Sequence, residues 1–311
     1  MAAFAHSAPC WVDVQLPDLE AGKRFYGELF GWTFRAGEEV DRGGLCADAL
    51  SGDKLVAALA AKQDGRMPTA WGVYFATDDI TATVARIRQA GGQVITEPVR
   101  AGSAGVLAQA ADPGGAVFGL WQAGDRSGFQ KQNEPGSFCW TEVYTRQKDR
   151  VDAFYEEVFG FRGTDLGAPG TGEAGTGESG PAEPDADESG PAEPETAQDG
   201  PGGSGIPGPG SSAPGADVPG ADFRMWSPAG TEPGPDTAIG GRSVITDAFP
   251  AEMPSYFLSY FAVEDCDATA ETVIRLGGRV SEPPSDIPYG RMAVLHDNQG
   301  AVFAVLQPPV S

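Results

Sequence analysis

Two carboxylates stand out as groups that could do chemistry. Asp13 lies two residues after Trp11 in Cys-Trp-Val-Asp-Val, and Glu142 lies two after Trp140 in Cys-Trp-Thr-Glu-Val. Residues two apart on an extended chain share a face, so each carboxylate stands beside an indole. Partial desolvation there disfavours the charged form and raises the pKa toward neutrality, where a general acid or base works best. The plainer reading is a carboxylate that caps backbone groups or pairs with an Arg, and the spacing leaves both open. Other reactive side chains offer less. Cys10, Cys46, Cys139 and Cys266 show no C-x-x-C spacing and read as small reduced hydrophobes rather than a zinc knuckle or a disulfide framework. Two His in 311 residues, His6 near the start and His296 beside a turn, leave little material for a His-rich metal site.

The elements that must position these groups come in duplicate. Phe25-Tyr26 through Phe30-Gly31 recurs as Phe154-Tyr155 through Phe159-Gly160, with the same spacing as the two Cys-Trp segments. Phe75-Ala76-Thr77-Asp78-Asp79 recurs as Phe261-Ala262-Val263-Glu264-Asp265, but 57 residues further away than that spacing allows. Gly115-Ala116-Val117-Phe118 then returns as Gly300-Ala301-Val302-Phe303. The chain is a tandem duplication with an insert in its second copy.

Within a copy, Cys10, Val12, Val14 and Leu16 alternate with Trp11, Asp13 and Gln15, the pattern of a half-buried strand. A helix follows, with Asp18 as N-cap, an apolar stripe through Leu19, Phe25, Tyr26, Leu29 and Phe30, and Gly31 as the stop. Three short strands are expected to about Lys62. A strand from Trp71, a helix capped by Asp79 and three more strands then run to Trp121, the last two joined by the turn Asp112-Pro113-Gly114-Gly115. Each copy therefore reads twice as strand, helix, three strands. The aromatic pairs Phe25-Tyr26 and Phe154-Tyr155 read as helix core packed against the sheet.

The insert is placed by composition at 163–220, which has no aromatic, no Lys or Arg, and eleven Asp or Glu among Gly, Pro, Ala, Ser and Thr. The heptapeptide Glu-Ser-Gly-Pro-Ala-Glu-Pro occurs in it twice. Such a segment cannot bury enough apolar surface to offset about 1 to 2 kcal/mol of backbone ordering entropy per residue, so disorder is expected. The formal net charge of the whole chain, -23, excludes a non-specific nucleic-acid or anionic-membrane binder. With no apolar run of about 20 residues and no basic or apolar leader at the start, a cytoplasmic protein is expected.

The repeated strand, the Phe25-Tyr26-Gly27-Glu28-Leu29-Phe30-Gly31-Trp32 helix and the closing hairpins Asp112–Phe118 and Asp297–Phe303 together resemble the vicinal oxygen chelate superfamily of glyoxalases, bleomycin-resistance proteins and extradiol dioxygenases. The resemblance covers everything but the insert. It implies an α+β fold of four βαβββ modules, forming two cup-shaped mixed sheets with helices outside. The expected domains are 1–125, and 126–162 plus 221–311, with 163–220 inserted between the parts of the second.

Metal-dependent members of that superfamily are similar to one another in placing His or Gln early in the opening strand and Glu late in the closing strand. Here those places hold Trp11, Gly72 and Gly119 in the first copy, and Trp140, Leu258 and Ala304 in the second. No bound metal or other cofactor is expected. Because those positions face into the cup, alternation puts Trp11, Asp13, Gln15, Tyr74 and Trp121 there in the first copy. In the second it puts Trp140, Glu142, Tyr144 and Tyr260 there, with Arg291 nearby. The expected catalytic pair, if there is one, is Asp13 and Glu142, and the other eight are expected ligand contacts. An aromatic concavity with a few polar groups implies a small-molecule site. The resemblance then offers two functions: a metal-independent binder of an aromatic or carbonyl-containing metabolite, or a glyoxalase-like lyase, isomerase or hydroxylase using carboxylate acid/base chemistry. The expected assembly is a monomer with internal pseudo-symmetry or a weak homodimer.

Overall fold

The computed structural model describes residues 4–37, 45–65, 68–166 and 222–309. The first half runs β1 (Pro9–Leu16), α1 (Leu19–Phe30), β2 (Thr33–Ala36), β3 (Cys46–Ser51), β4 (Lys54–Ala61), β5 (Trp71–Ala76), α2 (Ile80–Gln89), β6 (Gln93–Ala101), β7 (Gly105–Ala111) and β8 (Val117–Ala123). The second runs β9 (Ser137–Thr145), α3 (Lys148–Phe159), β10 (Arg162–Leu166), β11 (Phe223–Ser227), β12 (Gly240–Val244), β13 (Tyr256–Ala262), α4 (Cys266–Arg275), β14 (Arg279–Ile287), β15 (Gly290–His296) and β16 (Val302–Gln307). Each half forms an eight-stranded mixed sheet, in the orders β2-β3-β4-β1-β5-β8-β7-β6 and β10-β11-β12-β9-β13-β16-β15-β14. The two modules of a sheet meet where their opening strands pair antiparallel, β1 with β5 and β9 with β13.

Local chemistry sets the helix ends. Asp18, Asp79 and Asp265 each accept a hydrogen bond from a backbone N–H three residues on, satisfying a donor that the helix cannot. Gly31 and Gly160 stop α1 and α3 in the left-handed conformation, at φ 69° and 70°.

The helix aromatics do more than cover their own sheet. Phe30 packs against Phe261 and Phe303 of the second half, and Phe159 against Phe75 and Phe118 of the first. The Tyr26 hydroxyl donates to Asp297 at 2.8 Å and that of Tyr155 to Asp112 at 3.2 Å. Those Asp residues are the hairpin turns, whose other oxygen accepts from the turn backbone. α1 and α3 thus each reach across to the other half's sheet, and β5 and β13 of the two halves lie in direct contact.

The insert begins later than composition places it. Residues 163–166 belong to β10, which pairs with β11 from Arg162 opposite Ser227 to Leu166 opposite Phe223. A strand at a sheet edge needs few apolar residues, so its Gly-Thr-Asp-Leu sequence blends into the insert. The remainder, 167–220, lies outside the described residues, and so does the expectation of disorder. Just beyond it, Asp222 is held by Arg242 at 2.8 Å and by Lys148.

Candidate ligand-binding site

Strand register lays out the inner face of the first cup. Asp48, Ala58, Asp13 and Gly72 lie in one row across β3, β4, β1 and β5, and Trp11, Tyr74, Gly119 and Gln109 lie in the next. Cys10, Val12 and Val14 point the other way, into the core. Asp13 is half-buried, and the Tyr74 hydroxyl donates to its Oδ2 at 2.9 Å. Burial pushes the Asp13 carboxyl up to about 6, against the opposing pull of that hydrogen bond. Gln15 is half-buried on the same face, next to Ala60.

Asp48 is buried and takes Arg126 Nη2 at 2.8 Å and Arg35 Nε at 3.3 Å on one oxygen. The Arg126 guanidinium lies over the Trp11 ring, 5.4 Å from its centroid, and Phe129 packs on the same indole. Trp121 donates its indole N–H to the Arg126 carbonyl at 3.0 Å. The segment that joins the halves therefore covers Trp11 and Trp121. Both are on the cup side, as alternation requires, but each is a support for the wall and not an open stacking floor.

The second cup is built differently on the same plan. Glu142 is buried and accepts from Trp140 Nε1 at 3.0 Å, the Tyr144 hydroxyl at 2.8 Å and Ser243 Oγ at 3.2 Å, with a further side-chain hydrogen bond to Tyr260. Four donors saturate a carboxylate. Burial raises its pKa, and those bonds work against the rise. Tyr144 stacks on Tyr256 at 5.1 Å. Leu258 stands where the first cup has Gly72, Met225 where it has Asp48, and Val294 where it has Gln109. Ile245, Phe249 and Met253 then join Tyr144, Leu258, Tyr260 and Met292 in one buried cluster. Arg146 fixes this covering segment by donating to the carbonyls of Ile245, Thr246, Phe249 and Pro250 at 3.3, 3.2, 3.4 and 2.8 Å.

Arg291 is not a cup residue. It pairs with Asp267 of α4 at 2.6 and 2.9 Å and with Asp286 at 3.0 Å, while Met292, one place on, faces inward. Strand alternation puts only one of the two inside, and the acidic first turn of α4 draws the Arg outward.

The residues present do not fit the superfamily's metal. A side chain at Gly119 would start 2.1 Å from the Tyr74 ring, so that ring fills the space a closing-strand ligand would need. Among the described residues no group of three or more His, Cys, Asp or Glu is placed to hold a metal ion. His296 is buried against Arg279, and burial with that positive charge pushes its pKa down to about 4. His6 sits 3.5 Å from Asp78. The Cys46 thiol is pushed up to about 11 by burial and by Asp13 and Asp48, which makes it a poor nucleophile.

Asp48, Arg35, Arg126 and Gln109 are the cup residues that sequence reading misses. Arg126 meets Asp48 across 78 residues, and no periodicity relates them.

This architecture, two cups each made of paired βαβββ modules, defines a class. The sequence profile of the Glyoxalase/Bleomycin resistance protein/Dioxygenase superfamily matches residues 9–120 and 137–305, and the chain belongs to that superfamily. It is 32% identical over 98% of its length, and 96% of the relative, to "Putative glyoxylase CFP32" of Mycobacterium bovis. It is 31% identical over 99% of its length, and 95% of the relative, to "Anthracycline biosynthesis protein DnrV" of Streptomyces peucetius. In shape it is similar to the Mn(II)-bound glyoxalase from Novosphingobium aromaticivorans, with a TM-score of 0.55 at 13% identity, covering 98% of this chain and 83% of that one. It is also similar to the 2,3-dioxygenase LapB from Pseudomonas sp. KL28, with a TM-score of 0.53 at 14% identity, covering 97% and 93%. These two likenesses are of fold alone. Among the described residues no helix is long and apolar enough to cross a membrane.

Proposed function

We propose that the chain is a metal-independent binder of an aromatic or carbonyl-containing metabolite, and that the first cup is where it binds. The observation that carries this reading is the difference between the two carboxylates: Asp13 has one donor on one oxygen, whereas Glu142 is saturated beneath its own covering segment. A polar group with spare capacity on a half-buried face is what a small-molecule site offers. The name of the Streptomyces peucetius relative supports the ligand class, because anthracyclines are planar aromatic ketones. On this reading the first domain, 1–125, is the functional unit together with Arg126 and Phe129 of the joining segment, and the second supplies a rigid back. The aromatic faces of α1 and α3 are consumed between the chain's own halves, which favours a monomer.

A second reading has one observation behind it. Asp13, held near 6, is poised to take or give a proton at neutral pH, as a lyase or isomerase would require. The name of the Mycobacterium bovis relative points the same way.

Thermal shift against planar aromatic ketones, with and without EDTA, tests the first reading. Stabilisation by such a ketone that EDTA leaves unchanged is expected, since a ligand of the native state stabilises by RT ln(1 + [L]/Kd), about 2.7 kcal/mol at a hundredfold excess over Kd. A large loss of stability in EDTA would overturn it. Turnover of the hemithioacetal of methylglyoxal and a thiol, falling at least about 10²-fold in Asp13→Asn with binding retained, would establish the enzyme instead.

A further inference from the structure

The free valences of the first cup describe a ligand. Asp13 Oδ2 is occupied by Tyr74, and Oδ1 has no donor among the described residues. Oδ1 lies against position 72, where glycine puts no side chain over it: a Cβ there would stand 2.9 Å from that oxygen. Ala58, the neighbour on the other strand, carries only a methyl group. Arg126 uses Nη2 on Asp48 and lies along Trp11, and its remaining guanidinium N–H groups have no partner among the described residues. Asp13 and Asp48 lie in one row of the sheet on either side of Ala58, and Arg126 bonds Asp48 and lies over Trp11 of the adjacent row, which brings the three to one face.

The cup therefore offers one unused acceptor and one unused donor. Two guanidinium groups, Arg35 and Arg126, already meet the Asp48 charge, so a cationic ligand would face them. A neutral hydroxyl suits Asp13 better than an ammonium does. We propose that the first cup selects a planar ligand that gives a hydroxyl to Asp13 Oδ1 and offers a carbonyl to Arg126, a hydroxylated aromatic ketone or quinone, and that Gly72 is the position that admits it. This rests on the first cup being the binding cup. A site built to hydrogen-bond a hydroxyl rejects the analogue lacking it, because its buried polar atom is then left without a partner.

The test uses the full-length protein and two probes, 7-hydroxyflavone and flavone, which share the ring system and carbonyl and differ by one hydroxyl. Fluorescence titration of the wild-type chain should give at least about tenfold tighter binding of 7-hydroxyflavone. In Asp13→Asn the amide keeps its oxygen on the Tyr74 hydroxyl and turns its NH2 to the cup, so the preference should shrink to about twofold or less while flavone binds as before. Gly72→Ala, which crowds Oδ1 without altering any charge, should weaken 7-hydroxyflavone more than flavone. Equal affinity of the two probes for the wild-type chain, or equal losses for both in Asp13→Asn, would overturn the proposal and leave the binding reading standing. Binding of neither probe would overturn the binding reading itself, and the proposal with it.

Discussion

The two cups descend from one pattern and have diverged at their mouths. In the first, residues 62–70 lead from β4 to β5, and none of the described residues among them is buried. In the second, residues 245–255 lead from β12 to β13 and send Ile245, Phe249 and Met253 into the interior. One contributor lies directly after each opening strand. Arg146 ties the second segment down through four carbonyls, and the matching place in the first copy is Pro17, which has no side-chain donor. Duplication thus leaves one cup with spare hydrogen-bonding capacity and one whose own chain has used it. Equivalent carboxylates differ accordingly: Glu142 is bonded by four side chains, and Asp13, among the described residues, by one.

The comparison breaks most directly at the carboxylates. Glu142→Ala should cost on the order of 3–5 kcal/mol, because several buried donors lose their acceptor at once, and chemical denaturation should show it. Asp13→Ala should cost less, about 1 kcal/mol, since among the described residues one donor, the Tyr74 hydroxyl, loses its acceptor. Equal losses would mean that the cups are alike.

Opening the second cup gives the next largest effect. Phe249→Ala should destabilise by about 3 kcal/mol or more as a buried ring is removed. Gln63→Ala in the exposed first segment should stay within about 0.5 kcal/mol. A negligible effect at Phe249 would show that the segment does not fill the cup.

A smaller effect, opposite in sign, is expected from Asp13→Asn. The folded carboxyl titrates near 6 and an unfolded one near 3.9, so the folded protein holds the proton more tightly. Wild-type stability therefore falls as pH rises from about 4 to about 6, and the charge penalty is complete above that. The Asn variant lacks the penalty. It should be more stable than wild type at pH 8, on the order of 1–2 kcal/mol after allowance for partial exposure, and should show no advantage at pH 4. Melting curves at the two pH values check the sign. A function bought at some cost in stability is common at binding sites.

Much of the fold is written locally. The alternation of Cys10 to Leu16, the Asp caps at 18 and 79, Gly31 and the turn at Asp112 each specify their element through neighbours in sequence, and the duplication supplies the topology. The inner faces of β1 and β9 follow from the same alternation. What the sequence hides is who meets whom. Tyr74 reaches Asp13 across 61 residues and Tyr26 reaches Asp297 across 271, and neither pairing leaves a periodic trace. The availability of Asp13 and the saturation of Glu142 depend on such partners, so matching positions in the repeat look equivalent until the chain is folded. Arg291 shows the same limit at a single residue: a one-place uncertainty in register carries a side chain to the other face of the sheet.

We propose that one cup of the two binds ligand, and does so without a metal. Isothermal titration of the metal-stripped wild-type chain with 7-hydroxyflavone tests it most directly. One site per chain is expected, weakened by Gly72→Ala and untouched by Phe249→Ala. Two equivalent sites per chain, or binding that appears only when a divalent metal is added back, would contradict it.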